Sequence, residues 1–200
     1  MKAKKIDLNG AGFLIPDYYQ QVESMPEDPD NSTPFLARTE NTICFILAQP
    51  VDMSQSLPRT KEDLISGIRE CLGPNQGLIE VKAEKDYVFS IIKSLMDPGG
   101  VEYTLTYQRF FSDFILQIHG FFEETRITGQ RDSVVFELCR RQGIVGTEDG
   151  IFKGWSCDPY DKNIHQGKLM NISEHEEYDS MFPRHPISMC REFIRVLTSR

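Results

Sequence analysis

Chemistry in this 200-residue chain would come from four histidines, five cysteines and one distinctive string, Trp155-Ser-Cys-Asp-Pro-Tyr-Asp161. Tryptophan and tyrosine are the side chains most enriched at binding hot spots. Trp155, Asp158, Tyr160 and Asp161 are therefore the candidate binding residues. The same string also suits an anchor on a core, because a buried Trp N–H or Tyr O–H keeps a polar partner. Of the histidines, His165, His175 and His185 lie among Asp158, Asp161, Glu174, Glu176, Glu177 and Asp179. Imidazole and carboxylate are ligands for divalent metals, but this spacing matches no metal motif and no metal site is assigned. His119 falls on a strand, on the face opposite Phe114, Leu116 and Ile118. It could act as a base or stand as a hydrogen-bonded structural residue, and no serine or cysteine pairs with it by a recognisable pattern.

The cysteines contain no CxxC pair, which removes zinc-ribbon and thioredoxin-type sites. Cys44, Cys71, Cys139 and Cys190 sit in apolar strand or helix patterns and read as small buried side chains in a reducing compartment. For Cys157 both a buried and a reactive role stay open. The chain has no GxSxG, GxGxxG or P-loop. The acidic loop Gly146-Thr-Glu-Asp-Gly150 lacks EF-hand ligand spacing. No catalytic residue and no cofactor is assigned.

The formal net charge is −8, and the basic residues are mostly single apart from Lys2-Ala-Lys-Lys5 and Arg140-Arg141. Phosphate backbones demand a dense basic surface, so nucleic acid is excluded as a partner. The negative charge serves solubility or presents an acidic face to a basic protein. No stretch approaches the roughly 18 apolar residues that span a bilayer. The lysine-rich start lacks the apolar core of a signal peptide, since Asp7 and Asn9 interrupt it. A cytoplasmic location without membrane contact is expected.

These residues must be positioned by a regular frame. Ala11–Pro16 is a short apolar strand, and Pro34–Arg38 with Thr42–Gln49 form a hairpin. A helix from Lys61 to Leu72 carries Leu64, Ile65, Ile68, Cys71 and Leu72 as one stripe, with Thr60 as its N-cap. Strands follow over Gly77–Glu84, Tyr87–Leu95, Val101–Phe111 and Asp113–Glu123. Alternation and short turns such as Asp97-Pro-Gly-Gly100 make them an antiparallel meander. A second helix spans Gln130 to Gln142, where Arg131 is expected to meet Glu123 or Glu124. Ile144–Pro186 reads as a polar strap anchored by Phe152, Trp155, Tyr160, Met170, Tyr178, Met181 and Phe182. A last helix runs from Ile187 to Thr198. Helices on an antiparallel sheet give the α+β class, here one domain over 1–200 with a core over 10–143 and a C-terminal strap and helix over 144–200.

The element order, opening on Ala11-Gly-Phe-Leu-Ile-Pro-Asp17, resembles the Mog1/PsbP-like fold over residues 10–143. The resemblance implies an α/β/α sandwich and a non-enzymatic role. It supplies no catalytic motif to carry over. The functional expectation is a protein-interaction module with a protein partner, basic in character, and a bacterial immunity or adaptor role as its concrete version. The alternative is a small hydrolase or metal-dependent enzyme using His119 or the His165–His185 loop.

Overall fold

The computed structural model describes residues 2–8, 10–97, 99–164 and 168–199. Its centre is a seven-stranded antiparallel sheet in the order β3-β4-β5-β9-β8-β7-β6. The strands are β3 (Gln20–Gln21), β4 (Thr33–Arg38), β5 (Thr42–Val51), β6 (Gln76–Ala83), β7 (Tyr87–Leu95), β8 (Val101–Phe110) and β9 (Ile115–Glu124). The meander expected from alternation is thus β6 to β9, with β5 pairing β9 along its whole length from Thr42↔Glu124 to Val51↔Ile115.

Because side chains alternate across a strand, each register pair fixes a face. On one face lie Cys44, Ile46, Phe89, Ile91, Leu105, Tyr107, Ile118 and Phe122, all buried. They are covered by the helix α3 (Pro186–Thr198) and by a separate hairpin of β1 (Ala3–Leu8) and β2 (Ala11–Pro16). The lysine-rich start, read from sequence only as a failed signal peptide, is therefore a strand. Its Ile6 and Leu8 pack beside the buried Ala11, Phe13 and Ile15 of β2.

The other face carries Leu78, Val81, Val88 and Ile92, against which α1 (Lys61–Cys71) lays Leu64, Ile65 and Ile68. Thr60 caps α1 by accepting from the Asp63 amide at 3.2 Å, as its sequence position requires. One helix on each face gives the α/β/α layering. The expected burial of Cys71 is not met: it falls in the last turn of α1 and is exposed, while Cys44, Cys139 and Cys190 are buried.

The helix α2 (Gln130–Arg141) turns its apolar side, Val135 and Cys139, toward the strap residues Val145, Trp155, Ile172, Tyr178 and Phe182. The strap itself contains a small hairpin of β10 (Gly146–Glu148) and β11 (Ile151–Lys153). It docks closely where Leu169 and Met170 cross Gly77. A Cβ at Gly77 would lie 3.0 Å from the Leu169 Cβ and 3.1 Å from its carbonyl oxygen, so any side chain there would press on the strap. Two of the expected anchors face outward instead, Phe152 at 57% and Met181 at 51% exposure.

Candidate interaction site

The strap is held by a network of buried charges. Lys93 of β7 is 1% exposed and contacts Glu174 at 2.5 Å, whose other oxygen accepts from the Tyr103 hydroxyl at 2.8 Å. Burial is the largest influence on Lys93 and works to lower its pKa, but Glu174 and Asp132 together lift it above the ordinary lysine value. Arg131 is fully buried. It donates to the Ser173 carbonyl at 2.6 Å, the Ser188 hydroxyl at 2.7 Å, and the His175 carbonyl and Asp179 carboxylate at 3.0 Å each. The expected Arg131 contact with Glu123 or Glu124 is replaced by these, because the strap crosses the start of α2 and brings its own acceptors. Arg191 of α3 completes the frame by donating to Glu80 at 2.8 Å, Asp179 at 3.2 Å and the Glu174 carbonyl at 2.8 Å. Sequence reasoning missed this network. One signal was available: alternation in β7 places Lys93 on the inward face with Phe89 and Ile91, where an unpaired lysine is not tolerated.

That frame divides the string Trp155–Asp161. Trp155 faces α2, edge-on to Phe136 at 5.1 Å between ring centroids, and Phe136 meets Phe152 of β11 in the same manner at 4.8 Å. The three rings line a shallow surface depression of about 420 Å³ with Asp132, Ser133 and Glu137. Asp158, Tyr160 and Asp161 lie instead against α1 and β6. The Asp158 carboxylate accepts from Arg69 at 2.7 Å and from the backbone amides of Tyr160 and Asp161 at 2.8 and 2.7 Å. The Tyr160 hydroxyl accepts from the Val81 amide at 2.6 Å, and Asp161 sits 3.7 Å from Arg69. Burial raises the Tyr160 pKa, keeping the hydroxyl protonated. The structure therefore brings Trp155 together with Phe136 and Phe152, and brings Asp158, Tyr160 and Asp161 together as a separate clasp on Arg69 and Val81.

The histidines are likewise dispersed. His119 of β9 lies with its Nδ1 3.4 Å from the Thr106 hydroxyl, and burial lowers its pKa. His185 is nine-tenths buried, its ring edge-on to Tyr103 and 3.7 Å from Glu124. Burial first, then the Arg131, Lys93 and Arg191 charges, hold it well below the ordinary histidine value, so it is neutral. His175 Nε2 lies 3.3 Å from Cys157 Sγ beside a cavity of about 260 Å³. Burial and the neighbouring Asp158 raise the Cys157 pKa, the opposite direction to the one that activates a cysteine nucleophile. His165 lies outside the described residues. Among the described residues no three His, Cys, Asp or Glu side chains are grouped to hold a metal ion, and no helix is long and apolar enough to cross a membrane.

No family model matches the sequence, and no curated protein matches it. Among solved structures, the chain is similar to the Ran-binding protein Mog1p of Saccharomyces cerevisiae, at 13% identity and a TM-score of 0.47, over 68% of this chain and 84% of that one. It is also similar to the cyanobacterial PsbP (CyanoP) of Synechocystis, at 15% identity and a TM-score of 0.41, over 68% of this chain and 85% of that one. Both carry names of the fold family that the sequence resembles. The likeness is one of fold, and neither partner nor activity passes to this chain with it.

Proposed function

We propose that this protein is a non-enzymatic interaction module, cytoplasmic and of the adaptor kind, that holds a protein partner on the aromatic cluster Phe136–Phe152–Trp155. The observation that carries this reading is the exposure of an ordered ring set. Phe152 is 57% exposed although its ring is fixed edge-to-face on Phe136, and Ile151 beside it is 61% exposed. Apolar surface presented in this way, on a hairpin whose Phe152 is seated on Phe136 of α2, has the character of a binding hot spot rather than of scattered surface residues. The partner surface that complements it carries lysine or arginine beside an apolar side chain. Aromatic faces attract such cations, and the charge of −8 steers them. Glu137 is already bound by Arg140 and Arg141 at 2.8 Å each, so recognition rests on the rings and the overall field. The clasp of Asp158, Tyr160 and Asp161 supports the site by fixing the strap.

The reading is tested by affinity capture from the native host with the intact chain, Phe152→Ala and Trp155→Ala, alongside thermal unfolding of each. Both variants are expected to lower recovery of the specific partner at least tenfold, with the Phe152→Ala melting temperature unchanged. Recovery unaffected by either substitution would overturn it.

A further inference from the structure

The helix α1 stands off the sheet. Of its eleven residues only Leu64 is fully buried. Between the helix and the strands β7 and β8 lies a cleft of about 310 Å³, lined by Leu57, Leu64, Ile68, Leu72, Ile92 and, at its floor, Ser90 and Thr106. The helix side of the cleft also includes Gly67 and Cys71, so the residues at positions 64, 67, 68, 71 and 72 form one stripe at helical spacing. Gly67 sits in the middle of this stripe, where an apolar side chain would complete the packing. A Cβ built there meets no atom within 4 Å. Glycine inside a helix is less favourable than almost any other residue, and here no close neighbour requires it. Its effect is to leave the cleft open.

The lining fixes the chemistry of an occupant. Among the described residues it contains no carboxylate, ammonium, guanidinium or imidazole, so an ion would lose its hydration without a partner. The polar groups present are neutral: the Ser90 and Thr106 hydroxyls and the Gln76 amide, which donates to Ser94 at 3.1 Å and accepts from the Gly73 amide at 2.9 Å. The Thr106 hydroxyl is 3.4 Å from His119 Nδ1 on the neighbouring strand. We propose that the cleft between α1 and the sheet binds a small neutral ligand, mostly hydrocarbon, with one hydrogen-bonding end directed at Ser90 and Thr106. Size agrees with this class, since ligand sites in proteins begin near 300 Å³ and are largely apolar with a few placed polar groups. The proposal goes beyond the protein-interaction reading and does not depend on it, because none of the lining residues belongs to α2 or the strap.

The test is a methyl NMR titration of the intact protein with octan-1-ol, and with octanoate and octylammonium as charged counterparts of the same length. Octan-1-ol is expected to saturate at one molecule per chain, shifting the methyls of Ile68 and Ile92 while Ile118 and Ile194, on the far face, stay in place. The charged probes are expected to bind at least tenfold more weakly. Gly67→Leu should fill the cleft, lower octan-1-ol affinity at least tenfold and keep or raise the melting temperature. Cys71→Phe fills the cleft from an exposed position in the last turn and serves if the leucine variant folds poorly. Shifts that never saturate, that spread equally to the far face, or that persist in both filled variants would overturn the proposal. So would equal binding of all three probes. A partner protein that is lost from the Gly67→Leu variant while octan-1-ol fails to bind the intact chain would also overturn it, assigning the cleft to a protein side chain.

Discussion

The two helices that flank the sheet cover it very differently. Ten of the thirteen residues of α3 are buried, against one of eleven in α1. Helix formation itself does not explain the contrast. α1 has the better start, with a side-chain cap at Thr60, Glu62 and Asp63 in its first turn and Arg69 in its last. α3 has no side-chain cap, and Pro186 opens it. What differs is the surface beneath. α3 drops Phe193 and Ile194 into a face already filled by Ile15, Tyr19, Cys44 and Phe122, and its Arg191 joins the buried network. α1 rests mainly on β6 and is tied down by Arg69 to Asp158 and Asp161. One face of the sheet thus holds the fold together, while the other keeps room for a second molecule.

The sharpest way to break the first face is to remove a buried charge that others depend on. Arg131→Met deletes four hydrogen bonds at once. It leaves two strap carbonyls and part of the Asp179 carboxylate, one of whose oxygens already lacks a hydrogen-bond partner among the described residues, with less compensation. Breaking a buried pair by removing one partner costs about 3–5 kcal/mol, so urea unfolding of this variant should show a loss in that range. Packing gives a comparison of the same kind between helices. Phe193→Ala should cost about 3–5 kcal/mol, since its ring is fully buried against Tyr19 and Phe122. Ile68→Ala, at the edge of an open cleft, should cost about 1 kcal/mol or less, because there is little close packing to lose. Equal losses in the two variants would remove the distinction between the faces.

The same contrast marks what was legible in the sequence. The strands β6 to β9 and all three helices were readable because each carries its own period and stop signal within a few residues. Val101–Gln108 alternates strictly, and Gly143 follows α2. The β1 strand was not readable, since six residues containing three lysine or aspartate side chains give too short and too charged a pattern. The buried network was hidden for another reason. Its bonds join positions far apart in the chain, 42 residues between Arg131 and Ser173 and 111 between Arg191 and Glu80, and no local pattern encodes such a pairing. For the string Trp155–Asp161 the residue types pointed to anchoring or binding. The division between them depends on Asp158, whose carboxylate turns the following residues toward α1 by holding two backbone amides.

A pH titration reports on the packed face from its centre. His185 is held neutral well below its unfolded value of 6.5. The unfolded chain therefore binds a proton that the folded chain refuses once pH falls below that value. Stability from this group is complete above about pH 6.5 and declines on acidification toward the folded pKa, by at most about 1.4 kcal/mol per pH unit. Glu124, beside it, has its pKa raised by burial above 4.5 and works in the other direction, favouring the folded state as pH falls toward that value. The decline should consequently set in as pH falls below 6.5, with Glu124 opposing it at lower pH. His185→Gln should flatten that part of the curve in chemical unfolding followed from pH 7.5 to 5.5. A slope unchanged by the substitution would place the proton uptake elsewhere.

The smallest effect expected is the most direct measure of the open face. Gly67→Ala adds one methyl group where no atom lies within 4 Å. With no clash to set against it, helix propensity alone predicts a gain of about 0.8–1.0 kcal/mol. The matching change on the strap side, Gly77→Ala, should lose stability, because its methyl would press on Leu169 and Met170 at 3.0 to 3.1 Å. The pair therefore has opposite signs for the same chemical substitution, and differential scanning calorimetry of the two variants reads both. A loss at Gly67 would mean that α1 closes onto the sheet in solution, and the distinction between a filled and an open face would not hold.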